Sequence, residues 1–190
     1  MDDWSGELEL LRAAGVKLER GLNEAELSVA EERSGARFPP DLRELLRAAV
    51  PTGEQFPNWR DTAAPELGQA LAWPFDGIAF DIEHNAFWWP TWGPRPHALS
   101  DAIDLARHRV AEAPTLIPVY GHRYLPAVPC DAGNPVLSVY QTDIIYYGSD
   151  LRAYIAHEFG PTGYAEAVTR VPRPVLFWSE LIQANGAPAG

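Results

Sequence analysis

The sequence is poor in cysteine and in lysine, and each shortage excludes a class of protein. Its 190 residues include a single cysteine, Cys130, so an intrachain disulfide and a multi-cysteine zinc site are both excluded. Lys17 is the only lysine, and no glycine-rich loop leads into it. A phosphate-binding loop of the Walker type is therefore absent.

Long apolar runs and familiar catalytic motifs are missing as well. No run approaches the roughly 18 apolar residues that a membrane-spanning helix requires. The dinucleotide fingerprint G-x-G-x-x-G, the zinc-binding pair H-E-x-x-H and the nucleophile elbow G-x-S-x-G do not occur. The acidic start, Met1 to Trp4, is unlike a secretory signal or a transit peptide, so we expect a cytoplasmic protein.

Positive charge is scarce throughout the chain. Fifteen Lys and Arg residues against 26 Asp and Glu residues give a net charge of −11, which opposes binding to nucleic acid or to an anionic membrane. Residues 1–32 are strongly acidic, with nine acidic residues and three basic ones. This excess is explained either by a solvated, solubilising surface or by a surface that attracts a basic protein partner.

Helical signals dominate the first fifty residues. The spacing of apolar side chains predicts a helix over residues 2–14. Asn23 and Glu26 have the spacing of a capping box, which predicts a second helix that ends near Gly35. Pro40 suits the first turn of a third helix, because its missing N–H has no helical partner there.

The central part of the sequence is less regular. Residues 51–76 contain four prolines and leave room for one short helix over 66–72. The segment "IAFDIEHNAFWWP", which begins at Ile78, predicts two short strands joined by a turn. Residues 99–113 then have the apolar period of a helix.

The second half of the sequence predicts a sheet followed by helices. Four β-rich runs lie between residues 115 and 148, and Gly, Pro or Asn-Pro separates them, which is typical of an antiparallel meander. Asp150 is the expected cap of a helix that ends near Phe159, and residues 173–185 predict a short helix before a frayed tail. The order of helices, sheet and helices predicts an α+β fold.

Several segments of the sequence together resemble a known family. They are "GLNEAELSVAEERSGARFPPDLRELL", "IAFDIEHNAFWWPTWGPRP", "PVYGHRYLPAVP" and "GNPVLSVYQTDIIYYGSDL". With the helix that follows, these segments resemble the SUKH superfamily, which comprises the Smi/Knr-type cell-wall-assembly regulators of fungi and many bacterial relatives. The resemblance covers roughly residues 22–160, so residues 1–21 are interpreted as an N-terminal helical extension and 161–190 as a C-terminal one.

The resemblance implies both an architecture and a function. The architecture is a single, mostly antiparallel sheet flanked by helices. Bacterial members are typically immunity proteins that bind and neutralise polymorphic toxins, and the family has no generally shared catalytic residues. We therefore expect a protein-binding module for a basic toxin domain, which is not an enzyme and needs no cofactor. The alternatives are a regulatory scaffold with a cellular partner and a hydrolase that uses His122.

His122 is the residue best suited to chemistry. It follows Gly121 at the start of a predicted strand, and Asp131 or Asp143 could orient it as a general base. No nucleophile in a signature context accompanies it. The preferred interpretation is a structural polar network of His122, Arg123 and Asp143 that stabilises the hairpin.

One helix face has the spacing of a metal site. Asp104, His108 and Glu112 are four residues apart, so they share a face of the predicted helix and could bind a metal. That face is opposite the apolar one, so we interpret the three side chains as solvated and expect no metal site.

An aromatic stretch marks the expected partner surface. Trp88 and Trp89 are adjacent, so in a strand they would point to opposite faces, and one of them would need a cover. Core packing explains most of the stretch, but an exposed tryptophan beside acidic residues would suit an interface hot spot. Acidic residues accompany the rings, and no lysine or arginine lies between positions 74 and 94. The expected partner-binding residues are Asp76, Asp81, Glu83, Trp88, Trp89 and Trp92.

Overall fold

The structure is a computed structural model that describes residues 3–186, and these residues form an α+β fold as predicted. The helices are α1 (Ser5–Ala13), α2 (Glu24–Ser34), α3 (Pro40–Ala48), α4 (Pro65–His84), α5 (Leu99–Ala111), α6 (Leu151–Glu158), α7 (Tyr164–Ala167) and α8 (Trp178–Gly186), with a 3₁₀ helix at Pro90–Trp92. The strands are β1 (Lys17–Arg20), β2 (Ala49–Thr52), β3 (Leu116–Tyr120), β4 (Arg123–Pro126), β5 (Val136–Tyr140) and β6 (Asp143–Gly148).

The predicted meander is confirmed. Strands β3 to β6 form one antiparallel sheet in the order β3-β4-β5-β6, so each strand pairs with its neighbours in sequence. The β5–β6 hairpin closes with a two-residue turn, because Tyr140 pairs with Asp143. The sequence does not predict the second sheet, in which β1 pairs antiparallel with β2. About thirty residues separate the two strands in sequence, so no hairpin turn motif marks the pair.

The four-stranded sheet separates two hydrophobic cores. Neighbouring strand residues enter different cores, since side chains alternate between the faces of a sheet. Leu125 and Val136 belong to the first core, with apolar residues of α1, α2, α3 and α6. Tyr124 and Leu137 belong to the second core, with residues of α5, α8 and the second half of α4. Both faces of the sheet are therefore covered by helices.

Helix α4 corrects the sequence-based expectation for this region. The predicted helix over 66–72 is confirmed but ends too early, and the two strands from Ile78 are wrong, because α4 continues through Pro74 to His84. A proline has no N–H to donate to the carbonyl four residues earlier, which here is that of Ala70. The Tyr124 hydroxyl donates to this carbonyl instead, at 2.7 Å, so the helix loses no partner at that position.

Local capping signals are confirmed where the sequence contains them. Asn23 and Glu26 form the reciprocal capping box at the start of α2. Asp150 accepts a hydrogen bond from the backbone N–H of Ala153 at 2.8 Å and caps α6. The last helix begins at Trp178, later than the predicted position 173. The Arg173 guanidinium instead donates to the side-chain carbonyl of buried Asn134.

The segments that flank residues 22–160 on both sides contribute to the cores. Helix α1 places Leu8 and Leu11 in the first core, and α8 places Trp178 and Leu181 in the second. The predicted boundaries near residues 21 and 160 remain predictions. Residues 187–190, which belong to the predicted frayed tail, and the first position of the predicted 2–14 helix lie outside the described residues. No helix within residues 3–186 has both the length and the apolar character that crossing a membrane requires.

Candidate partner-binding surface

Asp81 and Trp92, two of the expected partner-binding residues, are buried. Asp81 is 4% exposed, and its carboxylate accepts hydrogen bonds from the Thr142 backbone N–H at 2.8 Å and the Thr142 hydroxyl at 2.6 Å. The amide of Asn85 donates to the same carboxylate at 2.5 Å. Trp92 is 6% exposed and stacks on Phe177 with ring centroids 6.0 Å apart. The structure therefore removes both residues from the candidate surface.

Trp88 and Trp89 are half-buried beside the second core. They follow α4 in an irregular segment, so the strand argument about opposite faces does not apply. The Trp88 ring lies edge-on to Trp92 at 5.3 Å, and its indole N–H donates to the carbonyl of Gly93. Trp89 lies edge-on to Phe177 at 6.0 Å. Both rings extend the core outward and present only part of their surface to solvent.

Asp76 and Glu83 remain exposed on α4, and different aromatic residues accompany them. Trp73 is 43% exposed, Phe80 is 45% exposed and Tyr140 is 56% exposed. Trp73 and Phe80 are seven residues apart, so they share a helix face that cannot be recognised when residues 78–90 are assigned to strands. Tyr140 was missed because nothing in the sequence places β5 beside α4.

These residues surround one open groove, which we call the aromatic groove. It has a volume of about 200 Å³. Its lining residues are Trp73, Asp76, Gly77, Phe80, Tyr140 and Gln141. The Trp73 and Tyr140 rings are 6.3 Å apart at an angle of 59°, and the Trp73 indole N–H donates to the carbonyl of Val139 at 2.9 Å. The groove therefore lies where α4 meets the end of the β5–β6 hairpin.

The floor of the groove depends on a close approach of α4 to the hairpin turn. A Cβ atom on Gly77 would lie 2.7 Å from the Cα of Gln141, so only glycine fits at this contact. Gln141 has a φ of +56°, the left-handed conformation that the first residue of a two-residue hairpin turn requires. Asp81 binds the second turn residue, Thr142, through two hydrogen bonds. The turn is thus held against α4 at both of its residues, by the contact of Gly77 with Gln141 and by the hydrogen bonds of Asp81 with Thr142.

The charged side chain that lines the aromatic groove is the carboxylate of Asp76. Asp76 forms no ion pair within residues 3–186, and no lysine or arginine lines the groove. Two imidazoles lie near its rings: His84 is 4.4 Å from Phe80, and His122 is 6.4 Å from Tyr140. Burial, and to a lesser extent the charge of Arg123, lower the pKa of His122, which favours its neutral form at neutral pH.

Arg123 is the centre of the polar network on the other face of the sheet. Its guanidinium donates to the hydroxyl of Ser138 at 2.9 Å and to the carboxylate of Glu158 at 3.3 Å, and lies 3.8 Å from the ring centroid of Tyr147. Within the described residues, no hydrogen bond or ion pair joins Arg123 to Asp143. The expected network of His122, Arg123 and Asp143 is therefore replaced by one that ties the sheet to α6.

His122 is likewise separate from the two aspartates that could orient it. Across residues 3–186, His122 forms no hydrogen bond or ion pair with Asp131 or Asp143. Asp143 is exposed at the start of β6, and Asp131 is exposed in the loop between β4 and β5. The His–carboxylate pair that a general base would use is not assembled in this structure.

The three residues with metal-site spacing are engaged in local contacts. His108 contacts the backbone carbonyl of Asp104 at 2.7 Å, and Glu112 pairs with Arg109 at 3.6 Å. The part of the chain that the structure describes contains no group of three or more histidine, cysteine or acidic residues placed to bind a metal.

Much of the N-terminal acidic excess is neutralised by arginines of the same chain. Glu26 pairs with Arg20 at 2.6 Å and with Arg60 at 2.7 Å. The hydrogen bond from Arg20 is the largest cause that lowers the pKa of Glu26 to about 2. Glu24 likewise pairs with Arg43 and Arg47. The aromatic groove, whose carboxylate has no such partner, is thus the better candidate for binding a basic surface.

Comparison with known proteins adds no identification. No protein-family model, curated protein or solved structure matches this chain. The SUKH resemblance stays a prediction from the motifs quoted above, and the candidate surface is argued from its geometry.

Proposed function

We propose that this protein is a non-enzymatic protein-binding module and that the aromatic groove is the centre of its contact surface. One observation carries the proposal: Trp73, Phe80 and Tyr140 are 43%, 45% and 56% exposed around one carboxylate, whereas Tyr164 is the only other Phe, Trp or Tyr side chain within residues 3–186 that is comparably exposed. Exposed aromatic clusters are typical of interface hot spots, where a few large side chains supply most of the binding energy.

The class of partner follows from charge and from the sequence resemblance. A net charge of −11 and the unpaired Asp76 favour a basic protein domain, whose approach would be accelerated by electrostatic steering. The resemblance to SUKH immunity proteins supports a toxin domain as this partner, met in the cytoplasm. A regulatory scaffold could use the same groove for a cellular partner. A gene that lies beside the gene of a large secreted toxin would favour the toxin-binding role over the scaffold role.

The proposal is tested with the partner obtained by copurification and mass spectrometry. Tyr140→Ala should weaken binding by about 2 kcal/mol, or roughly 30-fold, because truncation removes a contact ring. The matched control is Leu176→Ala, which truncates an apolar side chain that is 67% exposed outside the groove. Both variants must keep the melting temperature of the unaltered protein. Equal affinities of the two variants would contradict the proposal.

A further inference from the structure

We infer that the aromatic groove binds an arginine side chain of the partner, with its guanidinium among the rings and paired with Asp76. The inference rests on the proposed function and specifies the chemistry of the anchoring residue. It follows from the volume of the groove, its rings, its charge and the way this chain binds its own arginines.

The volume of the groove suits a single side chain. The groove has a volume of about 200 Å³. Sites for drug-sized ligands and cofactors are larger, about 300–1,000 Å³. The groove is open to solvent, so a side chain of another molecule can reach it.

The composition of the groove suits a cation. The faces of aromatic rings are negative, and a cation within about 6 Å of a ring centroid is attracted to them. Trp73 and Phe80 lie two helical turns apart on α4, with Asp76 between them, and Tyr140 lies opposite on the hairpin. A cation that enters there meets ring faces and a carboxylate that has no partner in the described chain.

This chain uses the same chemistry for its own arginines. The guanidinium of Arg107 lies 4.1 Å from the centroid of Phe75, and that of Arg123 lies 3.8 Å from Tyr147. Within residues 3–186, no arginine or lysine occupies the corresponding position over Trp73, Phe80 or Tyr140. No lysine or arginine of the described chain thus competes for these three rings, although the imidazoles of His84 and His122 lie near Phe80 and Tyr140.

Arginine fits the groove better than lysine. Its planar guanidinium is weakly hydrated, stacks on aromatic faces and can donate two parallel hydrogen bonds to a carboxylate at the same time. A lysine ammonium is a compact, strongly hydrated charge, and it would lose more hydration on entering between rings.

The inference is tested on the full chain with three short peptides, N-acetyl-Gly-X-Gly amide, in which X is arginine, lysine or the uncharged isostere citrulline. Binding is followed in ¹H–¹⁵N spectra through the indole N–H of Trp73 and the backbone amides of Gly77 and Gln141. The arginine peptide should shift these signals, with a dissociation constant between about 1 mM and tens of millimolar. The lysine peptide should bind several-fold more weakly, and the citrulline peptide should leave the signals unmoved.

Two variants separate the local carboxylate from general acidity. Asp76→Asn should weaken the binding of the arginine peptide at least several-fold. Glu32→Gln makes the same change of charge at an exposed position of α2 and should leave the affinity unchanged. The inference is overturned by equal effects of the two variants, by equal shifts with arginine and citrulline, or by no shift at tens of millimolar. If it is overturned while Tyr140→Ala still weakens the natural partner, the proposed function stands and only the arginine assignment fails.

Discussion

At the scale of single residues, two buried polar side chains determine the shape of the candidate surface. The Tyr124 hydroxyl satisfies the carbonyl that Pro74 leaves without a donor, and the Asp81 carboxylate holds the hairpin turn. Burial also raises the pKa of Tyr124, so this hydroxyl is protonated and able to donate at neutral pH. Neither side chain reaches the surface, yet both position the residues that do.

Tyr124→Phe should lower the free energy of unfolding by about 1–2 kcal/mol. The substitution keeps the buried ring but leaves the Ala70 carbonyl without a donor. Urea denaturation measures the change, and Tyr140→Phe is the control, because it removes the same atom from an exposed ring that has no hydrogen bond within residues 3–186. A Tyr124→Phe protein as stable as the control would mean that Pro74 is accommodated in another way.

Asp81→Ala should lower the free energy of unfolding by about 2–3 kcal/mol. It removes the acceptor of two hydrogen bonds from half-buried Thr142 and of one from Asn85, and it breaks the tie between α4 and the hairpin turn. Glu83→Ala, which truncates an exposed carboxylate on the same helix, should change stability by no more than about 0.5 kcal/mol. Chemical denaturation of both variants checks the difference. Similar changes in the free energy of unfolding for the two variants would mean that Asp81 is exposed, like Glu83.

At the scale of elements, the sequence predicted what local signals encode. The capping box at Asn23, the cap at Asp150 and the four-stranded meander each depend on residues within a few positions of one another, and each is confirmed. Helix α4 could not be predicted, because the partner that allows it to pass Pro74 lies fifty residues later in β4. The same long range hides the β1–β2 pair.

The candidate surface was predicted in part, for the same reason. Asp76 and Glu83 were correctly expected to be exposed, since charged side chains seldom lie in a core. Asp81 and Trp92 were misplaced because strand periodicity was assigned to a helical segment. Tyr140 depends on the packing of α4 against the hairpin, which only the folded chain reveals.

Gly77→Ala should lower stability and Gly68→Ala should not, although both glycines lie in α4. Alanine is favoured over glycine in a helix by about 0.8–1.0 kcal/mol. At Gly68 the new methyl group meets only the flexible end of Arg33, at 3.0 Å, so stability should be kept or increased. At Gly77 it meets the backbone of Gln141 at 2.7 Å, so stability should fall.

Thermal melting of the two variants measures this difference. A lower melting temperature for Gly77→Ala alone would support the close contact between α4 and the turn. A stabilised Gly77→Ala protein would mean that helix and hairpin are further apart than described.

At the scale of the whole molecule, the C-terminal segment covers an edge of the sheet. Strand β6 is the last of the four strands, and its free edge would invite pairing with other chains. The Tyr164 hydroxyl donates to the carbonyl of Tyr146 at 3.0 Å, and the backbone N–H of Ser149 donates to that of Ala167 at 2.8 Å. Residues beyond 160 thus protect the edge, and α8 fills the second core.

Truncation after Gly160 should therefore abolish cooperative folding or cause aggregation. It exposes the β6 edge and removes Val175, Trp178 and Leu181 from the second core. Val171→Ala, which truncates a side chain that is 89% exposed in the same segment, is the control and should leave the melting transition unchanged. Calorimetry and light scattering distinguish the outcomes. A residue 1–160 protein that melts cooperatively near the temperature of the full chain would contradict this role.

The central claim, that the aromatic groove is the partner-binding surface, is tested most directly by comparing two charge reversals. Asp76→Arg and Glu32→Arg change the net charge equally, the first inside the groove and the second on α2. Titration calorimetry with the copurified partner should show a loss of about 100-fold or more for Asp76→Arg, since a like charge facing a basic anchor costs several kcal/mol. Glu32→Arg should lose no more than a few-fold, through weaker steering. Equal losses, or unchanged binding of Asp76→Arg, would contradict the claim.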